Sequence, residues 1–178
     1  MNNKTALVII DVQMGLFDEA YEEDREVLEH ITELIARAHA AGSPVVYVQH
    51  NGWSGHPLEP GAPGFPIHPA IAPAEGDLIV QKRASDSFHD TTLQRELEAR
   101  GVSHLVIVGA QTEFCVDTTC RRAASLGYAV TLAADGHLTG DRAPFTWDQI
   151  VAYHNTILPQ LVTPGKPIKV QPAAEIAF

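Results

Sequence analysis

His104-Leu105-Val106-Ile107-Val108, followed without a break by Gly109-Ala110-Gln111-Thr112-Glu113-Phe114-Cys115, is the stretch whose reading decides the fold. The first five residues are apolar, rich in β-branched side chains and do not alternate with polar ones. A short run of that kind is a strand buried on both faces, which calls for a parallel sheet covered by helices on each side. The glycine then breaks the strand. Phe114–Leu126 reads as a helix closed by Gly127.

The same pattern repeats outward in both directions. Ala6–Ile10 is a first strand. Glu22–Ala41 places Val27, Leu28, Ile31, Leu34, Ile35 and Ala38 at helical spacing and stops at Gly42. Pro44–Gln49 and Leu78–Gln81 read as the second and third strands, and Thr91–Arg100 as a helix closed by Gly101. Tyr128–Ala133 is a fifth strand, Trp147–Leu158 a helix stopped at Pro159, and Ile168–Val170 an edge strand. Strands alternating with helices predict a three-layer α/β fold, a mostly parallel sheet with helices on both faces, in one domain spanning residues 1–178. Asn51–Pro73, rich in Gly, Pro and His, reads as a long loop and a candidate lid or pocket wall.

Composition narrows the function. The 178 residues are 45% apolar and 19% charged, with a formal net charge of -10. That charge repels polyphosphate and argues against nucleic acid as a partner. No apolar run approaches the roughly 20 residues of a membrane helix. The first residues lack the pattern of a signal peptide, so a cytoplasmic protein is expected. Two cysteines, Cys115 and Cys120, make no disulfide framework. The nine histidines include no His-x-x-x-His pair flanking a Glu, so neither a metal nor another cofactor is expected. Asp11-Val12-Gln13-Met14-Gly15 is not a phosphate-binding glycine turn.

In open parallel sheets, ligands bind beyond the carboxyl ends of the strands. Asp11, His50, Lys82, the Gly109–Cys115 turn, Asp135 and His137 all fall there. Cys115 is expected in the first turn of its helix with Thr112 as N-cap, where backbone N–H groups favour a thiolate and can hold an oxyanion. Lys82 would stabilise the thiolate, and Asp11 could accept its proton. Taken singly, each has a plainer explanation. Cys115 could be a small core residue, Asp11 a cap, and Lys82 a solvated lysine. Cys120, beyond the first turn, reads as core.

Three segments resemble the isochorismatase-like cysteine hydrolase family: Val8-Ile9-Ile10-Asp11-Val12-Gln13, Lys82-Arg83-Ala84-Ser85-Asp86-Ser87-Phe88, and Gly109 through Val116 with Thr119 and Arg121 beyond it. The resemblance implies a six-stranded sheet and an Asp11, Lys82, Cys115 triad. It also implies a cis peptide at Ala110-Gln111, an oxyanion hole from the N–H groups of Gln111 and Cys115, and assembly into homodimers or homotetramers. Members that cleave isochorismate lack the cysteine, so with Cys115 the chain looks like the amide-cleaving branch. The metal-binding Asp-x-His of the nicotinamidases is replaced by His50-Asn51-Gly52. The expected substrate is a small-molecule amide, contacted by Phe17, His50, Trp53, Phe88 and Phe114, because such pockets are mostly apolar. A vinyl-ether hydrolase and a non-catalytic member of the fold are the alternatives.

Overall fold

In the computed structural model, which describes residues 4–178, the centre of the sheet is β1, Lys4–Ile10. It is flanked by β2, Val45–His50, and by β4, Val102–Ala110. With β3 (Leu78–Lys82), β5 (Ala129–Leu138) and β6 (Lys169–Gln171) the six strands run in the order β3-β2-β1-β4-β5-β6, every pair parallel. The chain order reverses direction between β1 and β4, which opens a crevice beyond their carboxyl ends.

The period of two along β1 explains the three layers. Ala6, Val8 and Ile10 pack with Leu93 and Leu97 of α2 (Leu93–Ala99) and with Cys120, Ala123 and Ala124 of α3 (Asp117–Ser125). Leu7 and Ile9 point the other way, against Val27, Leu28, Ile31 and Leu34 of α1 (Glu22–Ala40). Side chains of this kind stabilise by roughly 1.5–3 kcal/mol each when fully buried. Cys120 is fully buried in the first of these layers, as its sequence position suggests. The last helix, α4 (Trp147–Ile157), packs near the end of β5. Among the described residues no helix is long and apolar enough to cross a membrane.

Several boundaries differ from the sequence reading, each for a physical reason. The helix expected from Phe114 is a π-type turn over Thr112–Val116, and α3 begins only at Asp117. The Gln111 carbonyl accepts from both Phe114 N–H and Val116 N–H, at 3.1 and 3.2 Å. β4 and β5 run past their apolar stretches, because Gly109 pairs with His137 and Ala110 with Leu138. Asp135 and His137 therefore lie within β5 rather than after it. The segment after β2 is not loose. Met14 N–H and Gly15 N–H donate to the carbonyls of Pro66 and Gly64, at 2.9 and 3.0 Å, so this segment forms a fixed wall over the chain that follows β1.

Gly109 holds φ +119, and a Cβ built there would lie 2.0 Å from the Ile10 carbonyl oxygen. β1 and β4 approach that closely one residue before Asp11. Gly109→Ala is expected to destabilise the fold by about 3 kcal/mol or more, from backbone strain and a collision that cannot relax. Gly165→Ala, with open space around it, is expected to stay within about 0.5 kcal/mol of the parent. Urea unfolding of the two variants is the check. Equal stabilities would contradict this account of the contact.

Candidate active site

Three strands each deliver one residue to a common point. Asp11 follows β1 with φ +51, a left-handed conformation that Asp tolerates better than most residues. Lys82 ends β3. Cys115 sits in the π turn after β4. The Lys82 ammonium donates to Asp11 Oδ2 at 2.7 Å, to Cys115 Sγ at 3.1 Å and to the Ala84 carbonyl at 2.9 Å. Those contacts use all three of its donors. The Lys82 and Asp11 side chains are 0% and 2% exposed. Removing one partner of such a buried pair costs about 3–5 kcal/mol, because the other charge is left uncompensated.

The surroundings of the thiol push against a resting thiolate. Burial first, and then the Asp11 carboxylate, push the Cys115 thiol up to about 11 against the pull of Lys82. Burial also raises Asp11, while Lys82 opposes the shift. Lys82 faces Asp11 as its ion-pair partner at 2.7 Å, and burial favours the neutral form of the thiol beside them. Asp11 Oδ1 is buried without a well-formed hydrogen bond, and the carboxylate is close enough to the thiol to perturb it directly. A base with a free lone pair therefore stands beside the acid it would deprotonate.

The expected pocket residues separate. His50 is brought to the site, with Nδ1 3.4 Å from Lys82 Nζ. Burial, then the charges of Lys82 and His56, lower its pKa to about 4, so it adds no charge there. Trp53 is 72% exposed and meets His56 edge-on at 4.4 Å. Phe88 is a core residue, stacked on Tyr128 at 5.9 Å, and burial of its ring against α2 and α3 accounts for it without a ligand. Phe114 is 46% exposed and lies beneath the Arg142 guanidinium, 5.4 Å from the ring centroid. Phe17 is buried and lines a cavity of about 760 Å³ that Ala110 and Gln111 also border. Asp135, at the expected end of the sheet, instead accepts from Ala173 N–H at 2.7 Å and serves the tail. Among the described residues no three His, Cys, Asp or Glu side chains cluster as metal ligands.

Other residues hold this geometry, and the sequence alone assigns them no role. Gln13 is fully buried; its amide donates to the carbonyls of Phe65 and His50 at 2.7 and 3.2 Å and accepts from His50 N–H at 2.8 Å. Its position two residues after Asp11 was the available signal. Thr119 bonds Ser87 Oγ at 2.8 Å and accepts from Ser87 N–H at 3.2 Å, which ties the Lys82 segment to α3. Arg142 donates to Glu113 Oε1 at 2.9 Å and to Gln111 Oε1 at 3.0 Å, clamping the Cys115 turn from outside. Nothing in the local sequence announces it.

Thr112 is not an N-cap; its hydroxyl is 2.9 Å from His137 Nδ1. Across the ring, His137 Nε2 is 2.9 Å from Asn155 Oδ1, while Asn155 Nδ2 donates to the Ala134 carbonyl. That amide orientation requires the proton on Nε2, so Nδ1 accepts from Thr112.

Comparison with known proteins follows the same lines. The family model described as the isochorismatase domain matches residues 5–155. A streptothricin hydrolase of Streptomyces noursei is 38% identical over 138 residues, covering 76% of this chain and 50% of that protein. The chain thus spans about half the length of that curated relative. A ureidoacrylate amidohydrolase of Variovorax paradoxus is 30% identical, covering 74% of this chain and 67% of its own. The crystal structure of an isochorismatase hydrolase from Oleispira antarctica superposes with a TM-score of 0.86 at 31% identity, over 98% of this chain and 96% of that one.

Burial lowers the His137 pKa to about 4. A group depressed in the folded state contributes stability above its unfolded pKa, about 6.5, and loses it as pH falls towards 4. The shift corresponds to roughly 3 kcal/mol. His137→Gln is expected to be less stable than the parent at pH 7 and to lose less stability between pH 6.5 and 4. Urea midpoints across that window are the check; parallel profiles would contradict a buried neutral imidazole.

Proposed function

The chain belongs to the isochorismatase family, and from that premise we propose that it is a cysteine-dependent hydrolase opening the C–N bond of a small-molecule amide through a thioester on Cys115. The observation that carries this reading is the contact of one ammonium, Lys82, with both Asp11 and Cys115.

In the proposed cycle Asp11 takes the thiol proton as Cys115 attacks the carboxamide carbon. Negative charge moves from carboxylate to sulfur, and Lys82 touches both, so the charge stays paired throughout. The N–H groups of Gln111 and Cys115 receive the oxyanion. Asp11 returns the proton to the departing amine, and a thioester forms. Water, deprotonated by Asp11, then releases the carboxylic acid and restores the thiol. The thiol need not be ionised beforehand, because proton transfer accompanies attack. The names of the curated relatives, a streptothricin hydrolase and a ureidoacrylate amidohydrolase, support a carbon–nitrogen bond as the target. The cycle uses no cofactor. It suits a reducing cytoplasm, where the thiol persists, in a single domain assembled as a homodimer or homotetramer.

Cys115→Ala is expected to lower amide hydrolysis at least roughly a thousandfold with an unchanged circular dichroism spectrum. A panel of carboxamides, ureido acids and lactams, read by ammonia or amine release, supplies the assay. Pyruvate release from isochorismate that survives Cys115→Ala would instead identify a vinyl-ether hydrolase. Asp11→Asn is expected to split two properties. It removes the charge that holds the thiol proton on, so iodoacetamide should label Cys115 faster at neutral pH, while hydrolysis is lost. Slower labelling would contradict the role given to Asp11.

A further inference from the structure

The cavity of about 760 Å³ beside Gln111 has a lining whose charge is one-sided. It lies at the reversal of the sheet order, between the segment after β1, the end of β4 and the end of β5. Its size is that of a small-molecule site. Asp18, Glu23, Asp24 and Asp141 line it, and among the described residues no lysine, arginine or histidine does. The nearby Arg142 is engaged by Glu113, Gln111 and the face of Phe114.

The carboxylates are not there only to close turns. Asp18, Asp24 and Asp141 each accept one backbone N–H, from Ala20, Asp18 and Trp147 at 2.9, 2.6 and 2.8 Å. Those bonds leave the charges uncompensated by any cation lining the cavity. Burial first, and then repulsion from Glu23 and Asp18, raise the Asp24 pKa, against the hydrogen bond from Asp18 N–H and the weaker pull of His68. Aromatic faces accompany the charge, because Phe17, Tyr21 and Trp147 share the wall. A cation is attracted to such faces as well as to the carboxylates. An independent sign of a missing occupant is Thr139. It lines the same cavity and is only 6% exposed, yet its hydroxyl has no hydrogen-bond partner. Buried hydroxyls are nearly always satisfied.

We propose that this cavity is the subsite for a positively charged portion of the substrate, so that the amide cleaved at Cys115 is carried by an organic cation. The proposal rests on the hydrolase reading for its chemistry, but its geometry stands alone. The cavity is bordered by Gln111, which opens the Cys115 turn, and by Met14–Asp18, which follow Asp11. A ligand anchored there by its cationic end can present a carboxamide to the thiol. The net charge of -10 would also draw such a ligand from solution.

The test compares N-acetyl-lysine amide with N-acetyl-norleucine amide, which differ by one positive charge at the end of the side chain. Binding is measured by calorimetry on full-length Cys115→Ala, where neither is turned over. The lysine compound is expected to bind at least tenfold more tightly. Adding D18N, E23Q and D141N should bring the ratio close to one. Adding E29Q, E33Q and E75Q, which make the same change in net charge at exposed positions away from the cavity, should leave it intact. Equal binding of the two amides, no binding of either, or an equal loss in both triple variants would overturn the proposal. Because the readout is binding to an inactive variant, loss of the charge preference leaves the thioester reading standing. A preserved preference alongside hydrolysis that survives Cys115→Ala would sink the thioester reading instead.

Discussion

A lysine ammonium enclosed with a carboxylate and a thiol is the constraint on which the rest of this structure depends. Lys82 is cut off from water and must find every partner within the protein. An unpaired charge in that position would cost several kcal/mol, enough to consume much of an ordinary domain's stability. Asp11 supplies the countercharge, which fixes β1 relative to β3 even though β2 lies between them. Cys115 takes a second donor, which fixes the turn after β4. Burial and the Asp11 carboxylate raise the thiol pKa against the pull of Lys82, and the thiol in turn faces that carboxylate as a base for its proton.

The surrounding fold satisfies that constraint by close backbone approach and by side chains that tie segments together. Gly109 lets β4 press against Ile10, so the Cys115 turn begins beside Asp11. Gln13 locks the chain after β1 to the end of β2 and to the Phe65 carbonyl. Thr119 holds the segment after Lys82, and the Thr112–His137–Asn155 chain supports the turn from the β5 side. Each link joins segments far apart in the sequence. Displacement of any one element would therefore reach the triad through a hydrogen bond rather than through loose packing.

The sequence carried some of this plainly. The continuous apolar runs of β1, β2 and β4 can only be buried on both faces, and that alone fixes a covered parallel sheet. The rule for carboxyl ends then gathered Asp11, Lys82 and Cys115 from distant positions. What stayed hidden depends on tertiary context. β4 and β5 extend through Gly109 and His137, residues with no strand preference, because each supplies the other's pairing. Thr112 has the composition of a cap but spends its hydroxyl on a histidine 25 residues away. Phe88 follows Lys82 closely enough to suggest a pocket wall, yet Tyr128, in the turn between α3 and β5, claims its face. A helix start and a lysine both argue for a thiolate. Burial and a neighbouring carboxylate, both invisible in one dimension, outweigh them.

The central claim is that Cys115 rests as a neutral thiol beside an Asp11–Lys82 ion pair and gives up its proton only as it attacks. The ultraviolet absorbance of the thiolate, followed as a function of pH in the free protein, tests it most directly. Burial puts Cys120 even further from ionisation, so Cys115 is the first cysteine expected to appear. The account predicts no thiolate at neutral pH and a rise only in the alkaline range, towards an apparent pKa near 11. One equivalent of thiolate already present at neutral pH would contradict it.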